Sequence, residues 1–370
     1  MSRCLARCDE NGLAPGGGRA SARAGLQPCI GTPVCSVPVK PGGHFRDRLP
    51  ARRSLLAALG GAAFAFRSPL EAAPAKPLRG IFIIMATPYT EAGEVDFEDL
   101  AREVDFLDRC GVHGMVWPQL ASEYYKLSKE ERFRGMELLA RAAKGKKPAL
   151  VLGVQGPGIA AALEYTRHAE KLGPDALIAI PPTEAKSIGD FRDYYRAIAQ
   201  ETKRPIFIQT TGGAKGIEPK IELLVELARE FPQLGYIKEE HNPVIERMQQ
   251  LAAHRPAVQG IFSGGGGRGM IYEWRLGMDG TMPGAPYSDV YVEIWDAWQA
   301  GRHDKAREIF SKLLLMLNCD QQIPGTRLYI MKKRGVFKTW RSRTRDFDPS
   351  PAAIAEIEFH WAGVKPYLRV

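Results

Sequence analysis

From Gly80 onward, short apolar runs alternate with longer stretches whose apolar residues recur every three or four positions. The runs cover 80–86, 113–120, 148–156, 176–182, 205–211, 234–240, 258–263 and 280–283, and each predicts a strand. Helix signals fall between them. Asp96 precedes Leu100, Val104 and Leu107, which share one helical face, and Ser128 with Glu131 forms a capping box. Ile221, Leu224, Val225, Ala228 and Phe231 line another face, and Asn242 is placed to cap a helix reaching about His254. After the eighth strand the pattern predicts one long helix carrying Ile309, Phe310, Leu313 and Leu317 in register. The strands are apolar throughout rather than alternating, as expected when helices cover both faces of a parallel sheet. Eight such units over 80–320 predict an α/β fold, a (β/α)8 TIM barrel, with residues 321–370 as a C-terminal helical extension of two or three helices.

Upstream the pattern is different. Residues 1–50 are rich in Gly, Pro, Arg and Ala without apolar periodicity, which predicts a disordered leader or a misplaced start. Within 51–75, Arg52-Arg53 precedes the apolar run 54–66, and Ala73-Pro74-Ala75 follows. That order of charge, short apolar run and small-x-small site predicts an export signal, and the arginine pair suggests the twin-arginine route to the periplasm. The run is too short for a permanent membrane anchor.

Charge adds little beyond this. The net +9 is concentrated in 1–75, which hold ten Lys/Arg against four Asp/Glu, so a nucleic-acid surface is not expected of the body. Of six cysteines, four lie in the leader at spacings that suit no zinc site, and Cys110 and Cys319 read as buried thiols.

The candidate chemistry centres on Leu234-Gly235-Tyr236-Ile237-Lys238-Glu239-Glu240, an apolar strand carrying one lysine. Burying an unpaired ammonium costs several kcal/mol, so the site favours a neutral, nucleophilic amine able to form a Schiff base with a carbonyl. The alternative is a rim lysine paired with Glu239 or Glu240. Strand alternation puts Tyr236 and Glu240 on the face of Lys238, and Ile237 and Glu239 on the other. Glu239, Glu240 and His241 together raise the possibility of a metal site, but no third ligand is placed by the sequence, and neither metal nor cofactor is expected.

The body resembles the dihydrodipicolinate synthase/N-acetylneuraminate lyase family of Schiff-base barrels. The resemblance rests on Ala86-Thr87-Pro88, Gly93-Glu94-Val95-Asp96, Ser122-Glu123, Gly153-Val154, Gly235-Tyr236-Ile237-Lys238-Glu239 and Ser263-Gly264 in that order. It implies that Lys238 is the Schiff-base lysine and that the substrate is pyruvate or another small 2-oxo acid. It also implies a homo-oligomer, a tetramer being the family's common form. The family's Gly-Thr-Thr-Gly-Glu loop is here Gln119-Leu120-Ala121-Ser122-Glu123, leaving Ala121, neighbouring amides and the Ser122 hydroxyl to hold the substrate carboxylate, together with the Gly264 loop. The family's strand-five tyrosine falls at Gln209 or Thr210, and its second tyrosine near Thr183, so neither usual phenol is present. Lys215 matches, loosely, a basic residue for a second substrate. Glu184, Tyr89, Tyr124, Tyr125 and Tyr287 are the remaining candidates for proton transfer.

The expected function is therefore a class I lyase or aldolase acting on a 2-oxo acid. The alternatives are a non-catalytic 2-oxo-acid-binding barrel that lost its proton relay, or a cytoplasmic 4-hydroxy-tetrahydrodipicolinate synthase with a misread N-terminus.

Overall fold

Eight parallel strands pair in chain order and close into a barrel, β8 returning to β1 through Gly80–Gly280 and Ile81–Thr281. The computed structural model describes residues 76–370, so the leader and export-signal expectations lie outside the described residues. The strands are β1 Gly80–Ile84, β2 Gly114–Trp117, β3 Ala149–Gly153, β4 Ala176–Ala179, β5 Ile206–Gln209, β6 Tyr236–Glu239, β7 Gly260–Ser263 and β8 Gly280–Thr281. Between and after them run α1 Phe97–Cys110, α2 Lys129–Ala142, α3 Ile159–Leu172, α4 Ile188–Glu201, α5 Ile221–Glu230, α6 Val244–Ala252, α7 Met270–Arg275 and α8 Ser288–Gln299. The extension adds α9 His303–Gln322, α10 Thr326–Lys333 and α11 Pro351–Val364.

The predicted caps mostly form. Asp96 accepts from the amides of Glu98 and Asp99, and Ser128 and Glu131 close their box. Three details depart from the sequence pattern. Pro243, not Asn242, occupies the N-cap of α6. The single helix expected after β8 is two, α8 and α9, broken at Gly301 with φ 73° in the left-handed region. The 320/321 boundary consequently falls inside α9. No helix among the described residues is long and apolar enough to cross a membrane.

Two apolar layers fix the barrel. The outer one lies between strands and helices and holds Leu100, Val104, Ile237 and Trp295 among many others. The inner one fills the barrel with Phe82, Phe207, Phe262 and partly buried Tyr236. Phe262 meets Phe82 and Phe207 edge-on at 5.1 Å, and Phe207 lies 5.3 Å from Tyr236. Each such ring contributes roughly 2–3 kcal/mol of burial, and together they plug the barrel floor. Above this layer, towards the strands' C-terminal ends, the barrel opens into a cavity.

The tail is strapped over that end by charge. Arg334 forks onto Asp289 at 2.7 and 2.9 Å with both side chains buried. Lys338 reaches Asp96 and Glu98, and Arg343 forks onto Glu131 at 2.7 and 2.8 Å. Ser342 and the Arg343 amide bind Glu123 in the loop after β2.

Candidate active site

Lys238 sits one inward step above the aromatic plug. Its β-register neighbours are Gln209 on β5 and Phe262 on β7, and it is 5% exposed. Its Nζ donates to Gln209 Oε1 at 2.8 Å and lies 3.2 Å from Glu240 Oε1. Inward parity thus carries Tyr236, Lys238 and Glu240, while Ile237 packs in the outer core and Glu239 turns outward to Arg247 at 3.0 Å. The amine is both buried and paired, so the two readings open at the level of sequence are each partly met. Gly264 makes the pairing sterically feasible: a Cβ there would stand 1.8 Å from Glu240 Oε1. The second oxygen of Glu240 receives the Thr211 hydroxyl.

Above the amine lies a cavity of about 280 Å³. Its wall includes Gln119 and Ala121 from the β2 loop, Gly264 and Gly265 from the β7 loop, and two cations, Arg268 and Arg327. After β2 the chain turns into a short 3-10 helix, Leu120–Ser122. The amides of Leu120 and Ala121 open that turn and have no acceptor among the described residues, the normal state of a helix's first N–H groups and a ready seat for a carboxylate. Gln119 is buried; its amide nitrogen donates to Pro118 O at 3.0 Å and Gln155 Oε1 at 3.1 Å, which leaves its own Oε1 without a donor.

The other expected site residues divide. Gln209, Ala121 and Gly264 lie around Lys238, Gln209 by its bond and the other two on the cavity wall. Ser122 is corrected: its hydroxyl is committed to Met85 O at 2.5 Å and to the Gln119 amide, so it builds the turn rather than facing a ligand. Thr210 is corrected too, because strand parity turns it outward, where its hydroxyl meets Glu239 at 2.7 Å. Thr183 and Lys215 are exposed and line no part of this cavity.

None of the candidate phenols lines it either. Tyr287 donates to Asp320 at 2.7 Å behind the wall, and burial raises its hydroxyl pKa well above the ordinary range. Burial, and next the Glu123 carboxylate, raise Tyr89 likewise. Glu184 belongs to a separate hollow beside α3 and α4. The trio of possible metal ligands splits: Glu239 faces Arg247, Glu240 faces Lys238, and His241 Nε2 meets Thr210 O at 2.7 Å. Among the described residues no cluster of three or more His, Cys, Asp or Glu is placed to hold a metal. Cys110 and Cys319 are free and buried, with burial pushing their thiols up to about 12 and about 11.

The model of the dihydrodipicolinate synthetase family matches residues 77–336. The chain belongs to this family. An L-2-keto-3-deoxyarabonate dehydratase of Azospirillum brasilense is 25% identical over 286 residues, covering 75% of this chain and 92% of that protein. A 4-hydroxy-tetrahydrodipicolinate synthase of Rhizobium meliloti is 28% identical over 241 residues, covering 64% and 80%. The solved 4-hydroxy-tetrahydrodipicolinate synthase of Methylacidiphilum fumariolicum SolV superposes with a TM-score of 0.71 at 19% identity, over 79% of this chain and 97% of that one, and so attests the fold. Membership makes the chain an enzyme of the lyase and aldolase type, as the sequence motifs implied.

Three residues escaped the sequence reading of the site. Gln119 carried no signal beyond opening the loop. Arg268 and Arg327 stand in no motif of the chain, and Arg327 lies on the extension, more than 80 residues beyond Lys238. Glu240 could be found by its even spacing from the lysine, but its role as the cavity's carboxylate could not.

Proposed function

We propose that the protein is a Schiff-base-forming lyase acting on a 2-oxo acid, with Lys238 as nucleophile. The observation that carries this is the buried Lys238 amine at the C-terminal end of β6, bonded to Gln209 and Glu240 and opening into the cavity above. In the cycle the amine adds to the ketone carbon, and the carbinolamine loses its oxygen as water to give an iminium. The iminium draws electrons from the adjacent carbon, so a proton or a carbon fragment can leave there and an enamine forms. The enamine then expels a β-hydroxyl or adds to an aldehyde. Hydrolysis finally returns the ketone and the free amine.

Glu240 is the carboxylate within reach of these proton transfers, at 3.2 Å from Nζ, and takes the place of the absent phenols. The Leu120 and Ala121 amides hold the C1 carboxylate. Gln209 has no titrating proton and serves to orient the amine. The orphan Oε1 of Gln119 suits a hydroxyl on the substrate, in keeping with the keto-deoxy sugar acid in the Azospirillum relative's name. Export after cleavage at Ala75 and assembly into a homo-oligomer, a tetramer by the family's habit, complete the proposal.

Borohydride reduction in the presence of pyruvate and a panel of longer 2-oxo acids, read by intact mass and peptide mapping, is the test. An adduct on Lys238 that disappears in Lys238→Ala is expected. Trapping by Lys238→Ala at the wild-type level would sink the Schiff-base reading, and trapping without turnover of any panel member would exclude those 2-oxo acids as the substrate.

A further inference from the structure

The lysine cavity does not end at its own wall. Leu120, Ala121, Gly284 and Arg327 also border a second chamber of about 370 Å³, whose far side is formed by the extension through Leu328 and Phe347. The strap that carries this far side is pinned by the Glu123 and Glu131 contacts described above. The two adjoining chambers, which share these lining residues, offer more room than a three-carbon acid fills.

Arg327 stands at the junction. Its Nε is held by Asp320 at 3.2 Å, and Asp320 is itself fixed by the Tyr287 hydroxyl at 2.7 Å, with 1% of its side chain exposed. The two terminal nitrogens of Arg327 have no partner among the described residues, and 38% of the side chain is open. Its neighbour is Arg268. A Cβ built on Gly266 would stand 3.1 Å from one guanidinium and 3.8 Å from the other. Arg268 donates to the carbonyls of Gly265 and Leu317 and, among the described residues, is hydrogen-bonded to no carboxylate. Two cations against Asp320 leave one positive charge in surplus, since Lys238 and Glu240 already balance each other. That surplus offsets one of a diacid's two negative charges, and the Arg327 fork of two free N–H groups matches the two oxygens of its far carboxylate.

We propose that the substrate is a 2-oxo acid longer than pyruvate that carries a second carboxylate at its far end, and that Arg327 is the specificity residue receiving that carboxylate. The inference rests on the Schiff-base reading and names its substrate class. A neutral chain of the same length leaves the Arg327 fork unpaired, whereas a dicarboxylic one completes it. The C-terminal extension thereby becomes part of the substrate site rather than packing alone.

The test is concentration-dependent borohydride trapping with 2-oxoglutarate and 2-oxoadipate against their chain-matched monoacids, 2-oxopentanoate and 2-oxohexanoate. Wild type should reach half-saturation with at least one diacid at a concentration about tenfold or more below its monoacid, the effect of one charge-assisted fork. Arg327→Gln should collapse that ratio to within about twofold. Arg327→Lys keeps the charge beside Asp320 and decides the matter if circular dichroism shows Arg327→Gln misfolded; its ratio should fall to less than half the wild-type value. Adducts formed without preference for either diacid, or a preference that survives both substitutions, overturn this inference and leave Lys238 as nucleophile. No adduct with any acid overturns both.

Discussion

Gly264→Ala is a one-atom way to move Glu240 without touching Lys238. The backbone at Gly264 is not in the left-handed region, so alanine fits its conformation. The new Cβ would lie 1.8 Å from Glu240 Oε1, the oxygen paired with Lys238 at 3.2 Å. Reaching ordinary contact at 3.4 Å requires the carboxylate to withdraw by about 1.6 Å, and a flexible side-chain end yields more readily than backbone. At an effective dielectric of about 20, opening a unit-charge pair from 3.2 Å to about 4.8 Å weakens it from about 5.2 to about 3.5 kcal/mol, a loss of about 1.7 kcal/mol. That corresponds to roughly 20-fold in an equilibrium and to a fall in Tm of about 3–7 °C. The withdrawn carboxylate also leaves hydrogen-bond range of the amine, so single-turnover borohydride trapping should slow by on the order of 10- to 100-fold. Gly265→Ala, whose Cβ would meet nothing within 4 Å, is the stability control and should melt like wild type. Should Gly264→Ala form its adduct at the wild-type rate, Glu240 is not the proton carrier and the reasoning fails.

Glu273 on α7 is 3% exposed, and burial pushes its carboxyl from 4.5 up to about 7, against a lowering hydrogen bond from Ser263. Because the folded state then holds a proton the unfolded chain has lost, this contribution is full below about pH 4.5 and disappears as pH rises through about 7, a swing of roughly 3 kcal/mol. Glu273→Gln should therefore raise the urea midpoint at pH 8 and change it little at pH 5; equal effects at both would refute the assignment. For the export proposal, N-terminal sequencing of the mature protein from its native host should begin at Lys76, and a cytosolic product retaining Leu55 to Phe66 would exclude it.

Much of the fold was written locally. Eight apolar runs separated by capped amphipathic stretches dictate strands covered on both faces, and period-2 alternation alone places Lys238, Tyr236 and Glu240 on one side. Where that local logic was ambiguous, it failed. A single glycine, Gly301, decided between one helix and two. Thr210 sits beside Gln209 in sequence, yet pairing with β6 turns the glutamine to the amine and the threonine to Glu239. Ser122 has the right chemistry for a ligand, but its turn brings Met85 O to it first.

What the sequence by itself determined is the barrel, its polarity and the strand that carries Lys238, because these follow from periodicities of a few residues. The cavity's charge was decided only in three dimensions. Arg268, Arg327, Gln119 and Glu240 come from four separate loops and helices, and none signals the others along the chain. Barrel closure and the ion pairs that strap the extension over its mouth bring them to one place, and long-range contacts of that kind leave no local trace in a sequence.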